Sequence, residues 1–182
     1  MKTFEEMLKK FKYSMERIET LPIYQDDIDE QEFKNYKNGI PENCSELCEW
    51  HNTIKKALNN AGYIERIRIL PNKMNIYLAY EFETGYVQNS LIGEKIYTLS
   101  LDEYEKNKED DNFTAGDYWI FDREHVLQLN YDENGRFLNS TLIEDEQQRL
   151  KAINFYIKLR KNAENFQNTL KRLRNRTIDF EE

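Results

Sequence analysis

From Arg136 to Glu182 the chain contains neither proline nor glycine. A segment of that length without either breaker favours continuous regular structure, because these two residues supply most helix stops and special turns. Leu150, Ile153, Tyr156, Ile157, Phe166, Leu170 and Leu173 recur along it at helical spacing. One long helix from about Glu144 to about Arg176 is therefore expected. The same scarcity runs through the whole chain, with 6 Gly and 3 Pro in 182 residues, so regular elements should dominate. A length of this order suits a single core. An aromatic share of 13% supplies bulky core residues, so the mean hydropathy of −0.89 reflects a charged surface rather than disorder.

Thr3 and Glu6 have the spacing of a capping box. Phe4, Leu8, Phe11, Met15 and Ile18 follow at helical intervals, predicting a helix from about residue 4 to 19 that stops before Pro22. The acidic stretch 25–32 opens a short helix carrying Phe33 and Tyr36, closed by Asn38-Gly39-Ile40-Pro41. Ser45 is the expected N-cap of a helix whose apolar face is Leu47, Trp50, Ile54, Ala57 and Leu58, with Gly62 as its C′ glycine. Ile64, Ile67 and Ile69 alternate with Arg66 and Arg68, which reads as a strand with both arginines on one face. Residues 73–89 favour a helix, although their aromatic content also suits a strand. A strand is expected over Glu94–Leu99, and a solvated loop or short exposed helix over 102–111. Strands at 117–122 and 126–131 lead into Asp132-Glu133-Asn134-Gly135, read as a type I′ hairpin turn returning through 136–141.

The order of elements predicts an α+β fold: a small antiparallel or mixed sheet with packed helices and a long C-terminal helix. Three regions are expected. Residues 1–43 form an N-terminal helical segment packed on the core. Residues 44–160 form the α+β core, and 161–182 a basic helical extension with an acidic tail.

Charge is placed unevenly. The net charge is −8. Residues 158–176 carry seven basic groups against Glu164, giving +6, while the last six residues carry −3. The remaining residues 1–157 therefore hold −11. Such a chain is a poor candidate for wrapping nucleic acid or coating an anionic membrane as a whole. Two acidic stretches stand out as partner-binding candidates: Asp26, Asp27, Asp29 and Glu30, then Asp102, Glu103, Glu109, Asp110 and Asp111. Lys171, Arg172, Arg174 and Arg176 make a basic helix, suited to the helix dipole or to a local phosphate contact. The start shows no apolar signal-peptide core, and no apolar run is long enough to span a bilayer. With only Cys44 and Cys48 available, no disulfide framework is expected, and the reading is a cytoplasmic protein.

Motifs for chemistry are sparse. Cys44-x3-Cys48-x2-His51 lacks the second half of a zinc site, since His125 is the only other histidine. Cys48 and His51 have no evident orienting group or oxyanion donors. Carboxylate pairs such as Glu81 with Glu83 and Asp117 with Asp122 are too numerous to define acid–base catalysis. No phosphate-binding glycine loop or nucleophile elbow occurs. No catalytic residue, cofactor or metal is therefore assigned. Arg66 and Arg68 remain, able either to grip a carboxylate or phosphate or to pair internally with Glu81, Glu94 or Asp122.

At Trp50-His51, Arg66-Ile67-Arg68-Ile69-Leu70-Pro71, Tyr77-Leu78, Glu81, Gly93-Glu94, Asp117-Tyr118-Trp119-Ile120-Phe121-Asp122 and Tyr131-Asp132-Glu133-Asn134-Gly135-Arg136-Phe137-Leu138, the chain resembles an uncharacterised, mostly actinobacterial single-domain family. Members of that family are often encoded near helix-turn-helix regulators. The likeness runs from about residue 14 to 160, and the basic C-terminal extension departs from it. The resemblance implies an architecture rather than a reaction, with Arg66, Arg68, Glu81, Glu94 and Asp122 as candidates for a shared pocket. Size and acidity also give the chain the look of phage or mobile-element inhibitors of RNA-guided CRISPR nucleases.

The expected function is therefore that of a non-enzymatic acidic interaction protein. Its partner would be a protein with a basic groove, such as a CRISPR nuclease whose DNA-binding surface it occupies. The alternative is a ligand-sensing or regulatory partner of a helix-turn-helix regulator, using Arg66 and Arg68.

Overall fold

Helix α1 (Lys2–Lys10) is followed by strand β1 (Ser14–Glu19), where the sequence predicts a continuing helix. Met15 and Ile18 fit a helical period, but they also sit on opposite faces of a strand, and both are fully buried. Burial on both faces decides between the two readings, because β1 lies in the middle of a sheet. The computed structural model describes residues 2–25, 30–40, 49–60, 62–111 and 116–180.

The remaining elements are α2 (Glu30–Lys37), α3 (Glu49–Asn59), β2 (Tyr63–Leu70), α4 (Ile76–Glu83), α5 (Gly85–Ile92), β3 (Lys95–Ser100), α6 (Leu101–Asp111), β4 (Tyr118–Phe121), β5 (His125–Tyr131), β6 (Phe137–Leu142), α7 (Glu146–Asn162), β7 (Glu164–Asn165) and α8 (Phe166–Arg174). The fold is α+β, with a seven-stranded mixed sheet in the order β6-β5-β4-β1-β2-β3-β7. Strands β1, β2 and β3 run parallel, so α3 and the α4–α5 pair serve as crossovers. Strands β4, β5 and β6 extend the other edge antiparallel. The sheet is larger than the sequence suggests, because β1 and β7 were hidden in helical patterns.

Helices cover both faces. On one, α6 and α7 bury Tyr104, Phe155, Tyr156 and Leu159 against Ile18, Ile67, Ile69, Tyr118, Ile120 and Val126. On the other, two apolar clusters form. Ile54 and Ala57 of α3 and Met7 of α1 pack on Met15, Ile64, Trp119 and Phe121. Farther along the strands, Tyr77, Leu78, Phe82 and Tyr86 from α4 and α5 pack with Phe166 and Leu170 of α8 on Tyr24 and Ile96. Arg17, Glu19, Arg66 and Arg68 share this second face by register, Arg17 opposite Arg66 and Glu19 opposite Arg68.

The expected long C-terminal helix is two helices. Its first part, α7, is capped by Asp145, whose side chain accepts from the Gln148 amide. The chain turns extended at Ala163, and Glu164–Asn165 pairs with β3. The Asn165 side chain then caps α8 by accepting from the Gln167 amide. Capping and edge pairing break this helix without proline or glycine. Beyond α8 the chain folds back, with the Met74 amide donating to the Asp179 carbonyl at 2.7 Å.

Two turns also differ from expectation. The type I′ turn lies at Asp122-Arg123, where φ is +53° and +56° and the Glu124 amide donates to the Phe121 carbonyl. At Asp132–Gly135 only Gly135 has positive φ, +78°. A Cβ there would meet the Ile23 carbonyl oxygen at 2.3 Å. Gly62 is required for a different reason from the one expected. Its φ is not left-handed, but an added Cβ would lie 2.9 Å from the Tyr13 carbonyl oxygen.

Candidate functional site

Between the two apolar clusters runs a buried polar stripe. The strand period places Arg17 and Glu19 of β1 beside Arg66 and Arg68 of β2, pointing to the same helices. Arg66 bridges two carboxylates: its Nε donates to Glu94 Oε1 at 2.5 Å and its Nη1 to Glu19 Oε1 at 2.8 Å. Glu94, immediately before β3, also accepts from the Trp50 indole at 3.0 Å. Glu19 also takes Arg17 Nη1 at 3.0 Å and the Tyr86 hydroxyl at 2.7 Å. Rings close over the cations: Arg17 lies 5.1 Å from the Trp119 centroid and Arg66 5.3 Å from that of Tyr86.

Arg68 is placed differently. Its side chain has 0% exposure and approaches Glu81 Oε2 only at 4.0 Å. It stacks 4.9 Å from the Tyr24 centroid. Among the described residues none accepts a hydrogen bond from its Nε, Nη1 or Nη2, and the buried Nε of Arg17 is likewise without an acceptor. Glu81 sits at the rim, its side chain 20% exposed, and accepts from Tyr86 at 3.3 Å.

The charges hold one another. Burial opposes the Glu19 carboxylate, but Arg17, Arg66 and Arg68 outweigh it and bring its pKa down to about 2. Burial likewise opposes the Arg68 cation, and the neighbouring Tyr86, Tyr24, Glu19 and Glu81 raise its pKa further above the ordinary value. Asp117 is pushed up by burial. It accepts from the Thr20 amide at 2.8 Å and from the Tyr24 hydroxyl.

Of the five pocket candidates, Arg66, Arg68, Glu81 and Glu94 come together. Asp122 does not. It stands at the β4–β5 turn and accepts from the amides of Lys12, Tyr13 and Ser14 at 2.8, 2.6 and 2.9 Å. That role follows from its turn, which points the carboxylate at the entry to β1. Arg17, Glu19, Tyr24 and Tyr86 were missed. Arg17 and Glu19 were concealed by the helical reading of residues 4–19, and their alternation with Glu16 and Ile18 was the available signal.

The acidic candidates are not one array. Asp26, Asp27 and Asp29 lie outside the described residues, as do Cys44 and Cys48. Glu30 is exposed at the start of α2, and Asp102 and Glu109 are exposed on α6. Glu103 accepts from Asn107 and Asn162, and Asp110 and Asp111 close α6. Among the basic candidates, Arg172 pairs with Glu164, while Lys171, Arg174 and Arg176 are exposed. Among the described residues no group of three or more His, Cys, Asp or Glu side chains is placed to hold a metal ion. No described helix is long and apolar enough to cross a membrane.

The opposite face holds a smaller polar pair. Glu16 and Glu65 are register neighbours on β1 and β2. Glu16 accepts from Tyr63 at 2.6 Å and from Arg123 at 2.9 Å. Glu65 accepts from Tyr156 at 2.9 Å.

Fold and site together define an α+β protein with an arginine–carboxylate stripe built into one sheet–helix interface. Residues 2–171 match the family described as a domain of unknown function, DUF6879, and the chain belongs to that family. Among solved structures, that of TrmBL2, an archaeal chromatin protein described as showing a novel mode of DNA binding, aligns with a TM-score of 0.48 and 13% identity. The alignment covers 89% of this chain and 48% of that one, so the chain spans about half of its length. No curated protein matches the chain.

Proposed function

We propose that the protein is a ligand-sensing regulatory domain, without a reaction of its own, that takes a small anion at Arg68. One observation carries this reading: a fully buried guanidinium with no hydrogen-bond acceptor among the described residues. Burying charged donors without hydrogen-bond acceptors is costly, on the order of several kcal/mol. Two residues earlier on the same strand, Arg66 donates to two buried carboxylates, so the fold is able to supply an arginine with acceptors here. An acceptor supplied from outside accounts for the difference.

Helix α4 offers the route outward. It carries Glu81 at the site, and Glu83 on it accepts from Tyr36 of α2 at 2.7 Å. Tyr80 of α4 donates to Glu32 of α2 at 3.3 Å. Helix α2 buries none of its residues and so presents a surface that a partner is able to read. A helix-turn-helix regulator is the partner that the resemblance to regulator-linked proteins favours. The competing reading, an acidic surface that occupies a nuclease groove, has less support. Part of the α6 charge is already engaged, Glu105 with Lys108 at 2.8 Å and Glu103 with two asparagines.

Differential scanning fluorimetry against small carboxylates, phosphates and sulfates at constant ionic strength tests the reading. A saturable rise in Tm that disappears in Arg68→Met is expected. No saturable response to any anion would overturn it.

A further inference from the structure

We propose that the outer edge of β6 pairs antiparallel with β6 of a second copy of this chain, making a two-fold dimer with one continuous sheet. The proposal is independent of the anion-sensing reading.

The two ends of the sheet differ. At one end β7 is two residues long, pairs with β3 and passes straight into α8, and its Glu164 is held by Arg172. Short length and charge blunt that edge. At the other end β6 runs over Phe137–Leu142 beside β5, and no further strand lies beyond it among the described residues. A strand in that position directs a row of backbone N–H and C=O groups outward, a template for another strand. The usual guards are missing. Residues 137–143 contain no charge and no proline, in a chain where 33% of residues are charged. The one bulge makes Leu138 the extra residue, and Asn139–Leu142 continue in regular register with β5. Leu138 itself is 60% exposed.

The occupant follows from the match of this edge to itself. Antiparallel pairing sets residues of the same face opposite each other. A two-fold axis at Ser140 therefore puts Asn139 opposite Thr141 of the second copy and Leu138 against its Leu142. Asn139 and Thr141 share the face on which the Asn130 amide already donates to both, at 2.8 and 3.4 Å. The pairing continues that amide–hydroxyl row across the axis.

Charge fixes the direction. Arg136 precedes the strand and Glu144 follows it, each four residues from Ser140 and both exposed. Antiparallel pairing brings Arg136 of each copy toward Glu144 of the other. Parallel pairing would set arginine beside arginine and glutamate beside glutamate. A contact along one strand edge buries less than roughly 1,200 Å², the range of weak and transient association. The dimer is therefore concentration-dependent.

The test is sedimentation velocity of the full chain from roughly 5 to 500 µM at about 0.15 M salt. Wild type should shift from monomer to dimer across that range. Thr141→Lys, which places an ammonium on the edge, should remain monomeric. Arg136→Glu and Glu144→Arg should each weaken the dimer roughly tenfold, since both symmetric pairs turn repulsive, and the double variant should return to wild-type association. A wild type that stays monomeric throughout overturns the proposal, and is the result expected if the edge receives an extended segment of a different protein. A dimer indifferent to Thr141→Lys lies elsewhere and also overturns it. If the double variant fails to recover, the antiparallel pairing falls. Should Thr141→Lys fail to fold, the charge swap at the exposed flanking residues still decides.

Discussion

The two faces of the sheet solve the same problem differently. Both are covered by helices, and both carry charged residues on β1 and β2. On the α6–α7 face the apolar cluster of Ile18, Ile67, Ile69, Tyr118 and Leu159 is continuous. Its glutamates, Glu16 and Glu65, take hydrogen bonds from Tyr63, Arg123 and Tyr156. On the α3–α8 face the apolar packing is split into two clusters, and the arginine stripe lies between them. There Arg66 donates to two carboxylates, while Arg68 has no hydrogen-bond acceptor among the described residues and meets Glu81 only at 4.0 Å. A well-paired buried charge is a structural element. A buried guanidinium without a hydrogen-bond acceptor at the same depth, its nearest carboxylate at 4.0 Å, marks a place where stability has been set aside for something else.

The largest effect is expected from Arg66→Met. It leaves Glu19 and Glu94 without their main partner and should destabilise the fold by about 3–5 kcal/mol in urea denaturation. On the other face, Leu159→Ala should cost about 3 kcal/mol through the cavity it opens, with no dependence on pH. The stripe, by contrast, is linked to pH. Glu19 has an ordinary pKa of 4.5 and a folded one of about 2. Its contribution, up to about 3 kcal/mol, is present above pH 4.5 and is lost as pH falls toward 2. Denaturation curves across that window should show the loss, and Glu19→Gln should flatten it. The smallest effect is expected from Arg68→Met, within about 1 kcal/mol of wild type, because relief of a buried cation without hydrogen-bond acceptors offsets the lost attraction to Glu19 and Glu81. A loss as large as that of Arg66→Met would show that the two arginines are equivalent after all.

Much of the sheet was legible from local pattern. Alternation marked β2, and the aromatic run marked β4. Arg66, Arg68, Glu81 and Glu94 were recognisable because strand period and nearby carboxylates suggested them. The illegible half of the site has a physical cause. In β1, Met15 and Ile18 are three apart, a spacing that a helix and a doubly buried strand both accept. Reading that segment as helix removed Arg17 and Glu19 from the sheet. Asp122 was misplaced because sequence neighbourhood says nothing about where a turn aims its carboxylate. At 132–135 the Asn-Gly signal was correct about a hairpin but wrong about its turn, since Asn134 does not take positive φ.

The sequence alone determined that this chain folds as α+β, that Arg66 and Arg68 share a strand face, and that its charge divides into an acidic body and a basic C-terminal helix. Those properties depend on side-chain period and composition, which are local. The tertiary structure decided the rest. The breaker-free stretch from Arg136 onward does not run as one helix, because Asn165 caps α8 and Glu164–Asn165 pairs with β3. It also decided that one arginine donates to two carboxylates while the other meets its nearest one only at 4.0 Å. Both depend on which strands and helices become neighbours across long stretches of chain, and local pattern does not record that.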